Sequence, residues 1–204
     1  MVSQRGVGRG EACDCCSLGI LVLFMSDYRW RVLRTKLIAE LNIREVELPT
    51  GRRIDYVVIN YPESVGVLAL TERQEIILVG QYRYAIDKYS WEIPCGGRSE
   101  SESVEDCARR ELEEETGYRA GRIDRLPGFH ASNATSNELT HLCIATELSW
   151  VGRPAEHHEP VEETIQVRLA AFDEALASIM RGEIHDAPAM IAILLYAQML
   201  RAQA

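Results

Sequence analysis

Between Ile43 and Leu169 short apolar runs recur between clusters of turn residues, the pattern of a strand-rich chain. Ile43 to Leu48 and Ile54 to Tyr61 read as two strands joined at Pro49-Thr50-Gly51, where proline and glycine favour a tight turn. Val65 to Leu70 and Glu75 to Gln81 predict a second pair around a polar turn. Trp91 to Ile93 is a short extended piece. Pro94 to Glu102 reads as a glycine-rich loop, in which Gly96 and Gly97 let the backbone approach a ligand closely. Leu139 to Glu147 and Thr164 to Leu169 complete the strands. One helix runs from Asp173 to Arg181 and stops at Gly182; a last one runs from Pro188 to Arg201, with Asp186 or Ala187 near its cap. Strands and helices in this order predict an α/β (α+β) sandwich. No internal repeat or low-complexity linker interrupts it.

The most informative segment lies between Ser103 and Gly117. Ser103, with Asp106 three residues on, opens a helix, and Gly117 closes it. At about 100° per residue, Val104, Cys107, Ala108, Glu111 and Glu115 share one stripe, apolar at first and then acidic. Glu114 stands near that stripe and Glu113 points away from it. A solvated, glutamate-rich helix end is the plainer reading of such a run. Two facts argue against it. Carboxylates in the last turn face the negative end of the helix dipole, and at i, i+3 and i+4 spacing they repel one another. Ionised carboxylates in line with a core-facing stripe need a positive partner, and clustered hard oxygens suit Mg²⁺ or Mn²⁺.

Composition narrows the picture. With 204 residues and 47% hydrophobic content, the chain can bury one substantial core. A net charge of −9 argues against non-specific binding to nucleic acid or to an anionic membrane. Cys107 and Cys143 fall on apolar faces as small hydrophobes, and Cys13-x-Cys15-Cys16 has no second ligand pair at zinc spacing. A reducing cytoplasm is the expected compartment. The apolar run from Ser17 to Met25 is too short to span a membrane, and no small-residue cleavage site follows it. It resembles a weak signal-peptide apolar region or, on an equal footing, an extension from an upstream start codon ahead of a native start at Met25.

From Gly96 there are five residues to Glu102, then seven to Arg110-Glu111-Leu112, followed by Glu114-Glu115 and Gly117. This spacing resembles the Nudix box, G-x5-E-x7-R-E-U-x-E-E-x-G-U, and departs only at Tyr118, where an aliphatic residue is usual. Leu48 to Arg53, Gln81-Tyr82-Arg83, Trp91 to Gly97, Phe172 to Leu176 and Gly182 to Ala187 are similar to the ADP-ribose pyrophosphatase branch, which usually has alanine in place of Cys95. The resemblance covers roughly residues 28 to 200 and implies the Nudix fold, a mixed sheet between helices preceded by an antiparallel sheet. Residues 1–27 would then be an extension of unknown role, 28–62 the N-terminal sheet region, often exchanged in a homodimer in this branch, and 63–204 the hydrolase domain.

The implied chemistry is hydrolysis of the pyrophosphate bond of ADP-ribose or a related nucleoside-diphosphate sugar with two or more Mg²⁺ (or Mn²⁺) ions. The resemblance assigns the metal to Glu111, Glu115, the backbone carbonyl of Cys95 and Glu163, with Glu114 as a further candidate. Arg110 supports these carboxylates, through Glu102 or directly. Arg53 and Arg83 are candidates to grip phosphate. The branch's usual general-base position is Val161 here, so Glu162 is the candidate base, with Glu159 and Glu156 as alternatives. His130 to Glu138 contains neither proline of the branch's Pro-Ser-Pro-Gly stretch, which brings GDP-mannose forward as a competing substrate. A ligand-sensing Nudix domain without catalysis is the other alternative; retention of Glu111, Glu114 and Glu115 argues against it.

Overall fold

A computed structural model describes residues 42–154 and 164–203. Element order is β1 (Asn42–Glu47), β2 (Arg53–Val58), β3 (Ser64–Ala69), β4 (Glu75–Arg83), β5 (Lys88–Glu92), β6 (Cys95–Gly97), α1 (Val104–Thr116), β7 (Tyr118–Phe129), β8 (Thr140–Trp150), β9 (Gln166–Ala171), α2 (Phe172–Met180) and α3 (Ala187–Gln203). The expected strand and helix positions are met to within a few residues. The mixed α+β class is also the one observed.

Three sheets form: β1-β2, then β6-β3-β8-β7, then β5-β4-β9. β3 and β8 run parallel, and the remaining neighbours are antiparallel. Successive side chains of a strand point to opposite faces, and both faces of β3 and β4 are covered. Val65, Val67, Ala69 and Ile77 pack beneath α1 with Val104, Cys107, Ala108 and Leu112. The alternate positions Leu68, Ile76 and Leu78 join Phe172, Ala175, Ile184 and Ile193 of the α2–α3 side. Each fully buried Leu, Ile or Val contributes about 1.5–3 kcal/mol of transfer free energy, so these two layers fix α1 on one side of β3 and α3 on the other.

Two expectations about pairing are corrected. β3 and β4 do not form a hairpin ladder. Only the Leu70–Ile76 bridge joins them across the turn, and they then part into separate sheets. Both edges of β3 are taken by β6 and β8, and both edges of β4 by β5 and β9. The expected loop at Pro94 begins instead with β6, whose Cys95 and Gly96 pair with Gly66 and Val65. Between the helix α1 and the loop at His130 stands β7, for which the pattern of apolar residues is no guide: of its residues only Ala120 is buried, and its pairing with β8 shifts register at Pro127-Gly128.

Helix α1 is closed at both ends by local chemistry. Ser103 Oγ accepts from the Asp106 amide at 3.0 Å, and Gly117, at φ +76°, donates its amide to Glu113 O at 2.8 Å. A side chain at Gly117 would start 2.9 Å from the backbone at Gly152–Arg153. Gly117→Ala is therefore expected to cost about 1–3 kcal/mol of unfolding free energy, from left-handed strain and the displaced neighbour. Urea denaturation monitored by circular dichroism measures it.

Candidate active site

The acidic half of α1 turns inward. Glu111 and Glu115 are each only 5% exposed, while Leu112 between them anchors the helix in the core. They face β6. A Cβ placed on Gly96 would lie 2.2 Å from the Glu111 carboxylate, so no residue but glycine leaves room for that side chain. Glu115 Oε2 accepts the Cys95 amide at 3.2 Å. Two carboxylates and the backbone of one strand are thus drawn together by a single helix–strand contact.

Arg110 holds the carboxylates from the outer side. Its Nε and Nη2 donate to Glu102 Oε1 and Oε2 at 2.9 and 3.0 Å, and its Nη1 donates to Glu111 Oε1 at 2.6 Å and Glu114 Oε2 at 3.0 Å. A further bond runs from Nη2 to Gly97 O at 3.0 Å. One guanidinium therefore pairs with Glu102 and touches both Glu111 and Glu114. The Glu102 carboxylate, first among its partners, pushes the Arg110 pKa further up, so its charge is permanent. Glu113, which points away from the stripe, pairs with Arg119 through both oxygens at 2.9 Å.

Arg83 stands at the end of β4 and forks onto Glu92 of β5, with Nε 2.8 Å from Oε1. Glu92 is 4% exposed. Glu92 chiefly, with Asp186 and Glu115 adding at longer range, raises the Arg83 pKa. Arg53 lies on the exposed β2, where it pairs with Glu47 at 3.2 Å rather than with a residue of α1. Glu162 and Glu163, like Glu156, Glu159 and Val161, lie outside the described residues.

Asp186 was legible only as a helix cap, yet it belongs to this neighbourhood. Its Oδ2 accepts the Ala189 amide at 3.0 Å. Burial, then the charge of Glu92, pushes its pKa up to about 6, against the hydrogen bond from Ala189 and the charges of Arg83 and His185. Burial first, then Glu115, Asp186, Glu111 and Glu92, drives the Cys95 thiol well above the usual range. Cys95 therefore offers its carbonyl, not a thiolate, to any cation.

Beside β6 opens a cavity of about 340 Å³, lined by Tyr61, Ser64, Gly96, Phe129 and Glu138 among others. The proline-free loop before β8 shapes its rim. Ile59 donates to Thr135 O at 2.8 Å, and Asn137 Oδ1 accepts the Tyr61 amide at 3.0 Å. Loop and chain entry are thereby tied to each other.

Among the described residues no three His, Cys, Asp or Glu side chains form a cage for an ion by themselves. Two buried carboxylates, Glu114 and a backbone carbonyl nevertheless make an all-oxygen donor set, which fits a hard divalent cation. The glycine cradle around Glu111 keeps that set compact.

The NUDIX domain profile matches residues 60–190. An ADP-ribose pyrophosphatase of Bacillus subtilis is 34% identical over 156 residues, 76% of this chain and 83% of the relative. A GDP-mannose pyrophosphatase of Cronobacter sakazakii is 32% identical over 126 residues, 59% of this chain and 65% of the relative. The solved structure of an ADP compounds hydrolase superposes with a TM-score of 0.67 at 19% identity, covering 83% of this chain and 99% of that one, and has the same fold.

Asp186→Asn is expected to raise unfolding free energy by about 1–2 kcal/mol at pH 8, since asparagine caps as well as aspartate and carries no buried charge. The sign follows from linkage. A carboxyl whose folded pKa is raised adds stability below the unfolded value of 3.8, and loses it as pH climbs through about 6. The advantage of the variant should vanish below pH 4 in denaturation curves taken across the range.

Proposed function

The chain belongs to the Nudix family, and on that premise we propose that it cleaves the pyrophosphate bond of ADP-ribose or a closely related nucleoside-diphosphate sugar, releasing a nucleoside monophosphate and a sugar phosphate. It is a pyrophosphohydrolase. The observation that carries this reading is the burial of Glu111 and Glu115 side by side against β6, with Glu114 adjoining them, an all-oxygen set that suits a hard divalent cation. Nudix hydrolases generally depend on divalent metal. Here Glu111, Glu115, the Cys95 carbonyl and Glu163 would hold two or more Mg²⁺ (or Mn²⁺) ions, which when bound supply charge neutralisation at the phosphoryl oxygens and acidify a water.

The chain's own residues supply the rest. Arg110 keeps Glu111 and Glu114 fixed in place. Glu162 takes the proton of the attacking water, whose oxygen bonds to one phosphorus as the bridging oxygen leaves with the other phosphate. Arg83 steadies the site through Glu92, so its support for phosphate comes at the edge of that pair. The cavity lined by Tyr61 and Phe129 is open to a planar base. GDP-mannose is the second reading, favoured by the absence of proline between His130 and Glu138 and by a relative named for that substrate. With Mg²⁺ present, turnover of ADP-ribose, GDP-mannose and UDP-glucose is expected to fall at least ~100-fold in Glu115→Gln. Equal rates for both proteins would remove this glutamate from the reaction.

A homodimer completes the proposal. Ile43 and Val57 face each other across β1 and β2 and are 65% and 38% exposed. A two-stranded sheet is marginal in water unless its apolar side is covered, and a second copy would cover it and bring Arg53 to substrate. Ile43→Asp is expected to shift a dimer toward the monomer mass in size-exclusion chromatography with light scattering. No helix of the described residues is long and apolar enough to cross a membrane. The free thiols of Cys95, Cys107 and Cys143 support a reducing cytoplasm as its place of work.

A further inference from the structure

Arg98 follows β6 and immediately precedes the loop that carries Glu102. Its backbone amide donates to Glu63 O at 2.8 Å, its Nε donates to Glu63 Oε2 at 3.0 Å, and Nη2 donates to the same oxygen. Its Nη1 donates to Glu102 O at 2.7 Å and Ser99 O at 3.4 Å. His141 Nε2, on β8, lies 3.0 Å from the same Glu63 oxygen. The Arg98 guanidinium therefore ties the loop between β6 and α1 to the entry of β3, and Glu63 in turn meets His141 of β8. Next in line, the Glu102 side chain forks onto Arg110, whose other donors reach Glu111 and Glu114. Hydrogen bonds thus run without a break from the central sheet to the acidic cluster.

Arg98 has two other readings. A phosphate grip would require it to leave Glu63 and two carbonyls, and with 22% of its side chain exposed it is better placed to stay. A plain surface ion pair would contribute little and touch nothing in the site, whereas Nη1 binds the very residue whose carboxylate holds Arg110. We propose that Arg98 is a positioning residue for the metal carboxylates: by fixing residues 98–102 against β3 and β8 it sets where Glu102 holds Arg110, and hence where Glu111 and Glu114 sit. This inference rests on the metal-dependent reading above. It concerns affinity for the cation, not for the nucleotide.

The test measures Mn²⁺ binding without nucleotide, by titration calorimetry and by loss of the free-ion electron paramagnetic resonance signal. Partners one step behind metal ligands are worth about 10–100-fold in affinity, so Arg98→Ala, acting one step further back, is expected to weaken Mn²⁺ binding about threefold to tenfold. Half-saturating Mg²⁺ in hydrolysis should rise by the same factor, while KM for the nucleotide sugar at saturating metal stays within about twofold. Arg98→Lys keeps the charge but not the fork and should fall between. In a Glu102→Gln background Arg98→Ala should add almost nothing, because the two act in series. Additive losses in that cycle, or unchanged Mn²⁺ affinity in Arg98→Ala, overturn the proposal. Should Arg98→Ala fail to fold, Glu63→Gln carries the same test, with wild-type Mn²⁺ affinity again the overturning result. A wild-type protein that binds no Mn²⁺ overturns the metal reading itself, while normal wild-type binding with unaffected variants overturns the relay alone.

Discussion

Carboxylates crowded into the buried end of α1 are the constraint to which much of the structure answers. Glu111 and Glu115 are drawn under the surface by the same helix face that buries Leu112 and Ala108. Once there, they repel each other and face the negative end of the helix dipole. Gly96 yields the space that Glu111 needs, Cys95 donates an amide to Glu115, and Arg110 spreads one positive charge over three carboxylates. Among the residues named in this neighbourhood, carboxylates outnumber guanidiniums, and that imbalance is the physical basis of an affinity for hard cations.

The two cores explain why this cluster meets a cavity. β3 is sandwiched, with α1 packed on the side of Val65 and Val67 and α3 on the side of Leu68. β6 adds itself to one edge of β3 and β8 to the other, so the glycine strand and the loop before β8 come out side by side. That loop is fastened to the chain entry at Ile59 and Tyr61, not stiffened by proline. Its shape therefore depends on backbone bonds to another segment, a less rigid device than the pyrrolidine ring. Selectivity among nucleotide sugars is expected to reside there, apart from the buried carboxylates that α1 presents to β6.

Legibility followed the range of the interactions. The β1–β2 hairpin, the caps of α1 at Ser103 and Gly117, and the stop of α2 before Gly182 rest on contacts within a few residues, and the pattern showed them. β7 escaped because all of its side chains but Ala120 keep some contact with water and its partner β8 supplies the ladder. The β3–β4 hairpin was misread for a related reason: a polar turn between two apolar runs is necessary for a hairpin, but which edges remain available is decided by strands far away in sequence.

The candidate site divides in the same way. Residue spacing alone put Glu111 and Glu115 on one stripe, and the box resemblance named Arg110 and Glu102 as their support. These are local facts of helix geometry and of a motif, and they hold before any folding is considered. Folding decided the rest. It joined Arg83 to Glu92 across two strands, brought the cap residue Asp186 into the reach of Glu92 and Cys95, and set Arg98 between Glu63, Glu102 and the neighbourhood of His141. Each of these pairs is separated by at least one strand or turn, and a hydrogen bond or a buried charge acts over a few ångströms of space whatever the number of residues between its partners.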